Sequence, residues 1–511
     1  MSKTKKTEFG DFQTPLELTN EIAWFLKADG ICPEVILEPT CGLGNFLISS
    51  VATFSNHIKY FVFDINPEYI QKIKNELSLK NNLNFEISRQ NFFEMNWKLL
   101  FKELPERTLV LGNPPWVTNA ALGILGSNNL PEKNNFQKHK GFAAKTGKAN
   151  FDISEWMLIK LLESMENKKA YLAMLCKTAI ARKVLKHCWE YNFHIYNSSI
   201  HLIDAKKHFN VSVDACLLYT HTGQKTKSKT SSVYSGLNFK EKISRLGKIG
   251  NELVADIDAY QKLNFLDGIE YYKWRSGVKH DAAKVMELNK ENGTYVNGLK
   301  ESYKLEDSFL YPLLKSSDIA NDRLIPRKYV LLTQKNIVDN TDIIKPDAPK
   351  TWQYLLDHAE YLDRRGSVIY SKRPRFSIFG VGEYTFAKWK VAISGFYKNL
   401  HFVVIGSYEK KPIIVDDTCY FIPCNSEKEA RFIATLLNSK VAKKFIHSLV
   451  FFDSKRPVNI DVLKRIDLKK ISKTLGMEED SKNYLADARY EFGSQRQMVF
   501  DKKGEYKVKK K

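Results

Sequence analysis

The residues of this chain best equipped for chemistry are Asn113-Pro114-Pro115-Trp116, which follow the apolar run Thr108-Leu109-Val110-Leu111-Gly112. Each proline fixes its own φ at about −65° and drives the residue before it away from the helical region. The turn is therefore stiff and extended. Asn113 offers a side-chain oxygen as an acceptor, and Pro114 offers a carbonyl that cannot easily rotate away. Two fixed acceptors suit a planar NH2 group. The exocyclic amine of a nucleobase is a poor nucleophile because its lone pair is delocalised into the ring. Accepting hydrogen bonds from both N–H groups returns density to the nitrogen, while Trp116 stacks on the ring. Holding such an amine in line with a methyl donor can contribute up to about 7–11 kcal/mol. Taken alone, the tetrapeptide reads equally well as a rigid loop, so its context decides.

Upstream, Val35-Ile36-Leu37 reads as a short buried strand running into Glu38-Pro39-Thr40-Cys41-Gly42-Leu43-Gly44-Asn45-Phe46, and Leu47, Ile48 and Val51 then carry helical spacing. Gly42 and Gly44 let the backbone approach a ligand closely. Leu47 stands where a dinucleotide fingerprint needs its third glycine, which disfavours a pyrophosphate. Glu38 would repel phosphate but suits the cationic amino acid end of S-adenosylmethionine. The next strand, Tyr60-Phe61-Val62-Phe63, ends at Asp64, placed to accept from two ribose hydroxyls. A third, Phe85-Glu86-Ile87-Ser88, leads to Asn91 and Phe92, an amide and a ring able to grip adenine. The carboxyl ends of successive strands in an open α/β sheet converge on one crevice. Taken singly, Asp64 also reads as a helix cap and Phe92 as core.

In order and type these motifs resemble the N6-adenine DNA methyltransferases of type II restriction-modification systems, of the kind with a C-terminal target-recognition domain. Phe12-Gln13-Thr14-Pro15 resembles that family's N-terminal cofactor motif, Glu38 to Phe46 its glycine loop, Asp64 its ribose ligand and Asn113 to Trp116 its catalytic turn. Asn150-Phe151-Asp152 and Lys169 to Leu175 resemble its later motifs, and the likeness spans roughly the first 220 residues. The family more often has Tyr or Phe at the position of Trp116, and an acidic residue at that of Asn91. The resemblance implies a Rossmann-like, S-adenosylmethionine-dependent α/β domain followed by a mixed α+β recognition domain. It implies cofactor contacts from Thr14, Pro15, Glu38, Pro39, Thr40, Cys41, Gly42, Gly44, Asp64, Asn91 and Phe92. It further implies direct methyl transfer to an adenine flipped out of the duplex, with Asn113, Pro114, Pro115 and Trp116 at the reacting amine.

Length and charge agree with an enzyme acting on a polyanion. The chain has 511 residues and a net charge of +21, of which +7 falls on residues 1–230 and +14 on residues 231–511. A polar, aperiodic stretch from Thr222 to Ser232 marks the expected boundary, giving a catalytic domain over 1–230 and a recognition domain over 231–511 with a basic tail. Residues 128–148, rich in Asn and Lys beside the Pro-Pro turn, are placed to act as a lid. In the second half, basic residues alternate with aromatics around Trp274, in 372–376, and in Lys388-Trp389-Lys390. Arg275, Lys279, Lys372, Arg373, Arg375, Lys455 and Arg456 are the candidate DNA contacts, arginines suiting guanine edges and lysines phosphates. The seven cysteines show no metal or disulfide spacing. No metal is expected. With no signal-like or membrane-length apolar run, a cytoplasmic monomer is the expected state, with any cognate endonuclease a separate protein.

Three rivals remain at this level. An RNA adenine or protein-glutamine methyltransferase could use the same turn, since an amide NH2 resembles an adenine NH2, but neither needs so large a basic second half. A fused nuclease-methyltransferase finds no room before residue 12. A non-enzymatic DNA-binding protein does not account for an intact catalytic turn.

Overall fold

The computed structural model describes residues 13–54, 57–77, 84–117, 152–223, 227–486 and 492, with two short C-terminal strands, Met498–Phe500 and Tyr506–Val508. The expected lid at 128–148 and the tail lysines 509–511 lie outside the described residues.

The chain divides into two compact units, Met1–Asp258 and Ala259–Lys511. The first is built on a ten-stranded sheet. Its strands are β1 (Val35–Glu38), β2 (Lys59–Asp64), β3 (Asn84–Arg89), β4 (Thr108–Gly112), β5 (Tyr171–Lys177), β6 (Ile195–Ile203), β7 (Ala215–Thr222), β8 (Thr230–Tyr234), β9 (Lys242–Ile249) and β10 (Glu252–Val254). Their order across the sheet is β10-β9-β8-β6-β7-β5-β4-β1-β2-β3. Neighbours from β5 to β3 run parallel, whereas β7 is antiparallel to both β5 and β6. This is the Rossmann-like α/β sheet expected from the sequence. Parallel strands covered on both faces read as unbroken apolar runs, and β1 and β4 are buried at every position. The core includes Ile36, Leu109 and Leu111 together with Leu18, Ile22 and Leu26 of helix α1 (Leu16–Ala28). Full burial of each such side chain contributes about 1.5–3 kcal/mol.

Strand order reverses direction between β1, which runs into the glycine loop, and β4, which runs into the Asn113 turn. Ligands of open α/β sheets bind outside the carboxyl ends of strands at such a switch point.

The boundary differs from the expected one. Strand β8 begins at Thr230, inside the polar stretch, and pairs in parallel with β6, while β9 and β10 extend the same sheet. Residues up to Asp258 therefore belong to the first unit. A polar, Ser/Thr-rich strand such as β8, lying between β6 and β9, carries no apolar run to distinguish it from a linker. Residues 231–258 are neutral overall, so the second unit keeps the charge of +14.

The second unit is mixed α+β. A four-stranded sheet orders Arg275–Ser276, Cys419–Cys424, Trp389–Ser394 and Val403–Ile405, and a six-stranded sheet centres on Glu287–Glu291, Lys328–Leu331 and Leu310–Leu314. Helices Glu427–Asn438 and Lys440–Leu449 follow, each capped by a serine, Ser426 and Ser439, that accepts an amide of the first turn.

A fragment ending at residue 258 is expected to unfold cooperatively, while one ending at 230 loses β9, β10 and most of β8, exposes the β6 edge and aggregates. Urea titration and light scattering on the two fragments check this.

Candidate active site

The glycine loop is held in place by carboxylate and amide side chains. The Asp64 carboxylate accepts from the Gly42 amide (2.9 Å) through one oxygen and from the Asn66 amide (2.8 Å) through the other. It thus anchors the loop and starts the turn into helix α3, which follows α2 (Asn45–Thr53) and spans Pro67–Leu77. Hydrogen bonds to a charged acceptor contribute about 1.5–3 kcal/mol each. Gly42 and Gly44 both sit at positive φ, +53° and +81°, and a Cβ on Gly42 would lie 2.5 Å from Gln13 Oε1. A side chain at Gly42 would be strained by the positive φ and would displace Gln13 from the Leu43 amide.

A strap from the N-terminal segment crosses loop and turn. Gln13 Oε1 accepts from the Leu43 amide at 2.8 Å, and the Thr14 carbonyl accepts from Asn45 Nδ2 at 2.7 Å. Thr14 Oγ1 accepts from Asn113 Nδ2 at 3.2 Å. Pro15 caps α1, its carbonyl accepting from Thr19. Thr40 donates to the Asn113 carbonyl at 3.4 Å, and the Cys41 amide donates to Phe63 of β2. Pro39 and Cys41 are buried along this path. The bracing roles of Gln13 and Asn45 were not read from the sequence, because a lone amide carries no periodicity and only the fold brings the strap at 13–14 against the loop.

Glu38, at the end of β1, is 2% exposed, and its Oε2 has no hydrogen-bond partner among the described residues. Burial, and then the negative charge of Asp64, raise its carboxyl well above the usual carboxylate range, against the lowering effect of the Leu47 amide. A buried carboxyl beside a second carboxylate fits a cationic ligand, whose charge would favour the ionised form. The residues present therefore fit S-adenosylmethionine.

The turn after β4 is braced from β5. Lys177 Nζ donates to the Trp116 carbonyl at 3.2 Å and to Asp152 Oδ2 at 2.6 Å. Asp152 caps the helix Ile153–Ser164, accepting from Ser154 N and Oγ, and the Ile153 amide reaches back to Val117. Pro115 lies within this braced turn. Trp116 is 6% exposed and packs edge-on against Phe209, ring centroids 5.3 Å apart. Asn91 Oδ1 accepts from Phe93, and its Nδ2 donates to Glu94 at 2.7 Å, leaving one N–H and one lone pair beyond these local bonds. Phe92 is buried against Trp97, with centroids 4.5 Å apart, and its carbonyl accepts from the indole.

No family model matches the chain. Over 472 residues, covering 92% of this chain and 98% of the relative, it is 44% identical to the type II methyltransferase M.NspV of Nostoc sp.. The chain belongs to the type II methyltransferases. It is accordingly a DNA methyltransferase, and S-adenosylmethionine is its methyl donor. A shorter match, 24% identical over 181 residues (35% of this chain, 40% of the relative), joins this methyltransferase to M.VspI of Vibrio sp.. Among solved structures, the type IIL restriction-modification enzyme MmeI in complex with DNA shares its fold with a TM-score of 0.51 at 12% identity, over 95% of this chain and 79% of that one.

In the second unit of the methyltransferase, the candidate DNA contacts divide. Arg275 stacks on Tyr384 at 4.1 Å, Lys279 pairs with Asp281 at 3.4 Å, Arg375 pairs with Asp363 at 2.7 Å, and Arg456 donates to Asp417 at 3.1 Å. Lys372, Arg373 and Lys455 are exposed and enter no ion pair among the described residues. Lys390, read from its neighbours as part of a DNA-facing run, is instead fully buried, donating to Ala387 O (2.6 Å) and Ile413 O (2.9 Å). Its strand, Trp389–Ser394, lies inside a four-stranded sheet and is buried at every position after Trp389, so Lys390 is enclosed with its neighbours. No helix among the described residues is long and apolar enough to cross a membrane.

Two stability effects follow. Lys177→Met strips the buried Asp152 of its counter-charge and is expected to cost about 3 kcal/mol, largely recovered in the double variant with Asp152→Asn; a double-mutant cycle by urea unfolding measures it. Burial holds the Lys390 ammonium down to about 7 from its ordinary 10.5. Between those values the unfolded chain binds more protons, so this group makes stability rise with pH from about 7 towards 10.5 and adds no slope below 7. Unfolding midpoints at pH 7 and 9 should show that rise in the native protein and a smaller one in Lys390→Met.

Proposed function

We propose that this methyltransferase transfers the methyl group to N6 of a specific adenine in duplex DNA, as the modification component of a restriction-modification system whose endonuclease is a separate protein. The observation that carries the reading is the Asn113 carboxamide. Its nitrogen donates to Thr14 Oγ1, and the next residue, Pro114, adds a backbone carbonyl in the same rigid turn. Two acceptors in a fixed turn meet the two N–H groups of an adenine amine and draw its lone pair out of the ring.

The bound cofactor supplies an electrophilic methyl group on a sulfonium. Glu38 takes the cationic amino acid end, Asp64 the ribose hydroxyls, and the strap at Thr14 and Pro15 with the loop Pro39 to Gly44 closes around them. Phe92 and the remaining hydrogen-bond capacity of Asn91 bound the adenine pocket. Lys177 keeps the Trp116 backbone in register while the indole yields a face to the incoming base. A duplex buries adenine N6 within the stack, so the target nucleotide is rotated out to reach this site. The second unit, with its charge of +14, binds the duplex, Arg275, Lys279, Lys372, Arg373, Arg375, Lys455 and Arg456 being the proposed contacts and the enzyme a monomer.

Incubation with methyl-labelled cofactor and matched duplex DNA, structured RNA and protein extract should label DNA alone, as N6-methyladenine by mass spectrometry. Label on RNA or glutamine would overturn the substrate reading. Asn113→Ala should lower turnover by about 10²-fold or more while cofactor affinity stays near native. Asp64→Asn should chiefly weaken cofactor binding, by about tenfold; calorimetry separates the two effects.

A further inference from the structure

The two most exposed large apolar side chains among the described residues are Val368 (80%) and Val338 (78%), both in the second unit. Each stands on a braced loop. In the first, Asp339 Oδ2 accepts the amides of Lys335 (3.1 Å) and Asn336 (2.7 Å). Buried Gln334 donates to the Asp339 carbonyl at 2.6 Å and accepts from the Ile378 amide at 3.0 Å. In the second, Val368 opens a 3-10 turn, Val368–Tyr370, and the Arg365 guanidinium lies 3.7 Å from the centre of the Tyr370 ring while donating to Ser377 O at 2.6 Å.

Arg373 joins the two loops. Its amide donates to Tyr370 O at 3.2 Å and its guanidinium to Ile337 O at 3.3 Å, and Thr341 Oγ1 reaches Arg375 O at 2.6 Å. The backbone between is strained: Lys372 and Phe376 both sit at positive φ, +66° and +64°, in a region where non-glycine residues cost free energy and which recurs at functional sites. Valine is β-branched and stiff about χ1. The two tips are therefore preset rather than adaptable. Lys335, Lys372 and Arg373 flank them, all exposed and in no ion pair among the described residues.

An aliphatic tip on a rigid loop gains nothing in water, and a cationic rim disfavours another basic surface or a second copy of this +21 chain. The combination matches a duplex, whose phosphates take the cations and whose base steps accept apolar wedges. We propose that Val338 and Val368 form such a wedge, entering the DNA and holding a base step unstacked, while Lys335, Lys372 and Arg373 grip the flanking phosphates. The inference rests on the duplex-DNA reading given above.

The test uses the full chain and duplexes carrying its mapped methylation site, with 2-aminopurine placed in turn at each position around the target. Native enzyme should raise fluorescence at a step other than the target base. Val338→Ser/Val368→Ser should abolish that signal and lower kcat/KM by about tenfold, with cofactor affinity and circular dichroism unchanged, and Val338→Leu/Val368→Leu should restore both. Lys335→Ala and Lys372→Ala should each reduce the salt slope of DNA binding by about one. A native enzyme that methylates DNA alongside an indifferent serine variant overturns the wedge alone. A native enzyme inert on DNA overturns the substrate reading and the wedge with it.

Discussion

Everything at the site depends on the parallel pairing of β1 with β4. Both strands are buried on two faces, so neither can be satisfied except between neighbours in the sheet interior, and their register sets Leu37 opposite Val110. The pairing brings the end of β1, carrying Glu38, beside the end of β4, carrying the Asn113 turn. A Cβ on Gly112 would stand only 3.7 Å from Glu38 Cγ. A slip of one residue would turn the apolar set of either strand to the opposite face and separate the carboxylate from the turn.

On that frame, the geometry of the loop is fixed mainly by charge-assisted and amide hydrogen bonds rather than by packing. Asp64 holds the loop at Gly42 while starting the next turn, so one carboxylate fixes two consecutive pieces of the site. The Gln13–Pro15 strap holds the opposite side of the loop and the amide end of Asn113. Glu38 is the exception in this network: buried, next to a second negative charge, and with one oxygen unsatisfied among the described residues. A cationic ligand at this position would relieve that imbalance.

The second unit shows a different economy of charge. Most of its arginines beside aromatics are engaged within the protein, stacking on a ring or pairing with an aspartate, as Arg275 and Arg375 do. Lys390 is an extreme case, a lysine taken wholly out of water and satisfied by two backbone carbonyls. Basic and aromatic residues in alternation are as compatible with an internal lattice of cation–π contacts as with a nucleic-acid surface. Pairing within the protein separates the two: Lys372, Arg373 and Lys455 stand apart from their neighbours in sequence because they enter no ion pair among the described residues.

The sequence by itself determined the order of the chemistry: apolar runs give the strands, glycines the loop, prolines the stiff turn, and each of these is a local property of a few consecutive residues. Strands β1 to β4 accordingly fall within a residue of their expected ends. The tertiary structure alone decided what depends on distance in space. It recruited Gln13, Asn45 and Lys177, whose partners lie 30, 31 and 61 residues away in the chain. It also moved the unit boundary to Asp258, turned Asn91 into local bonds and buried Trp116 against Phe209. A polar side chain has no periodic signature, and the partner that satisfies it is chosen only when the sheet has closed and water has been removed.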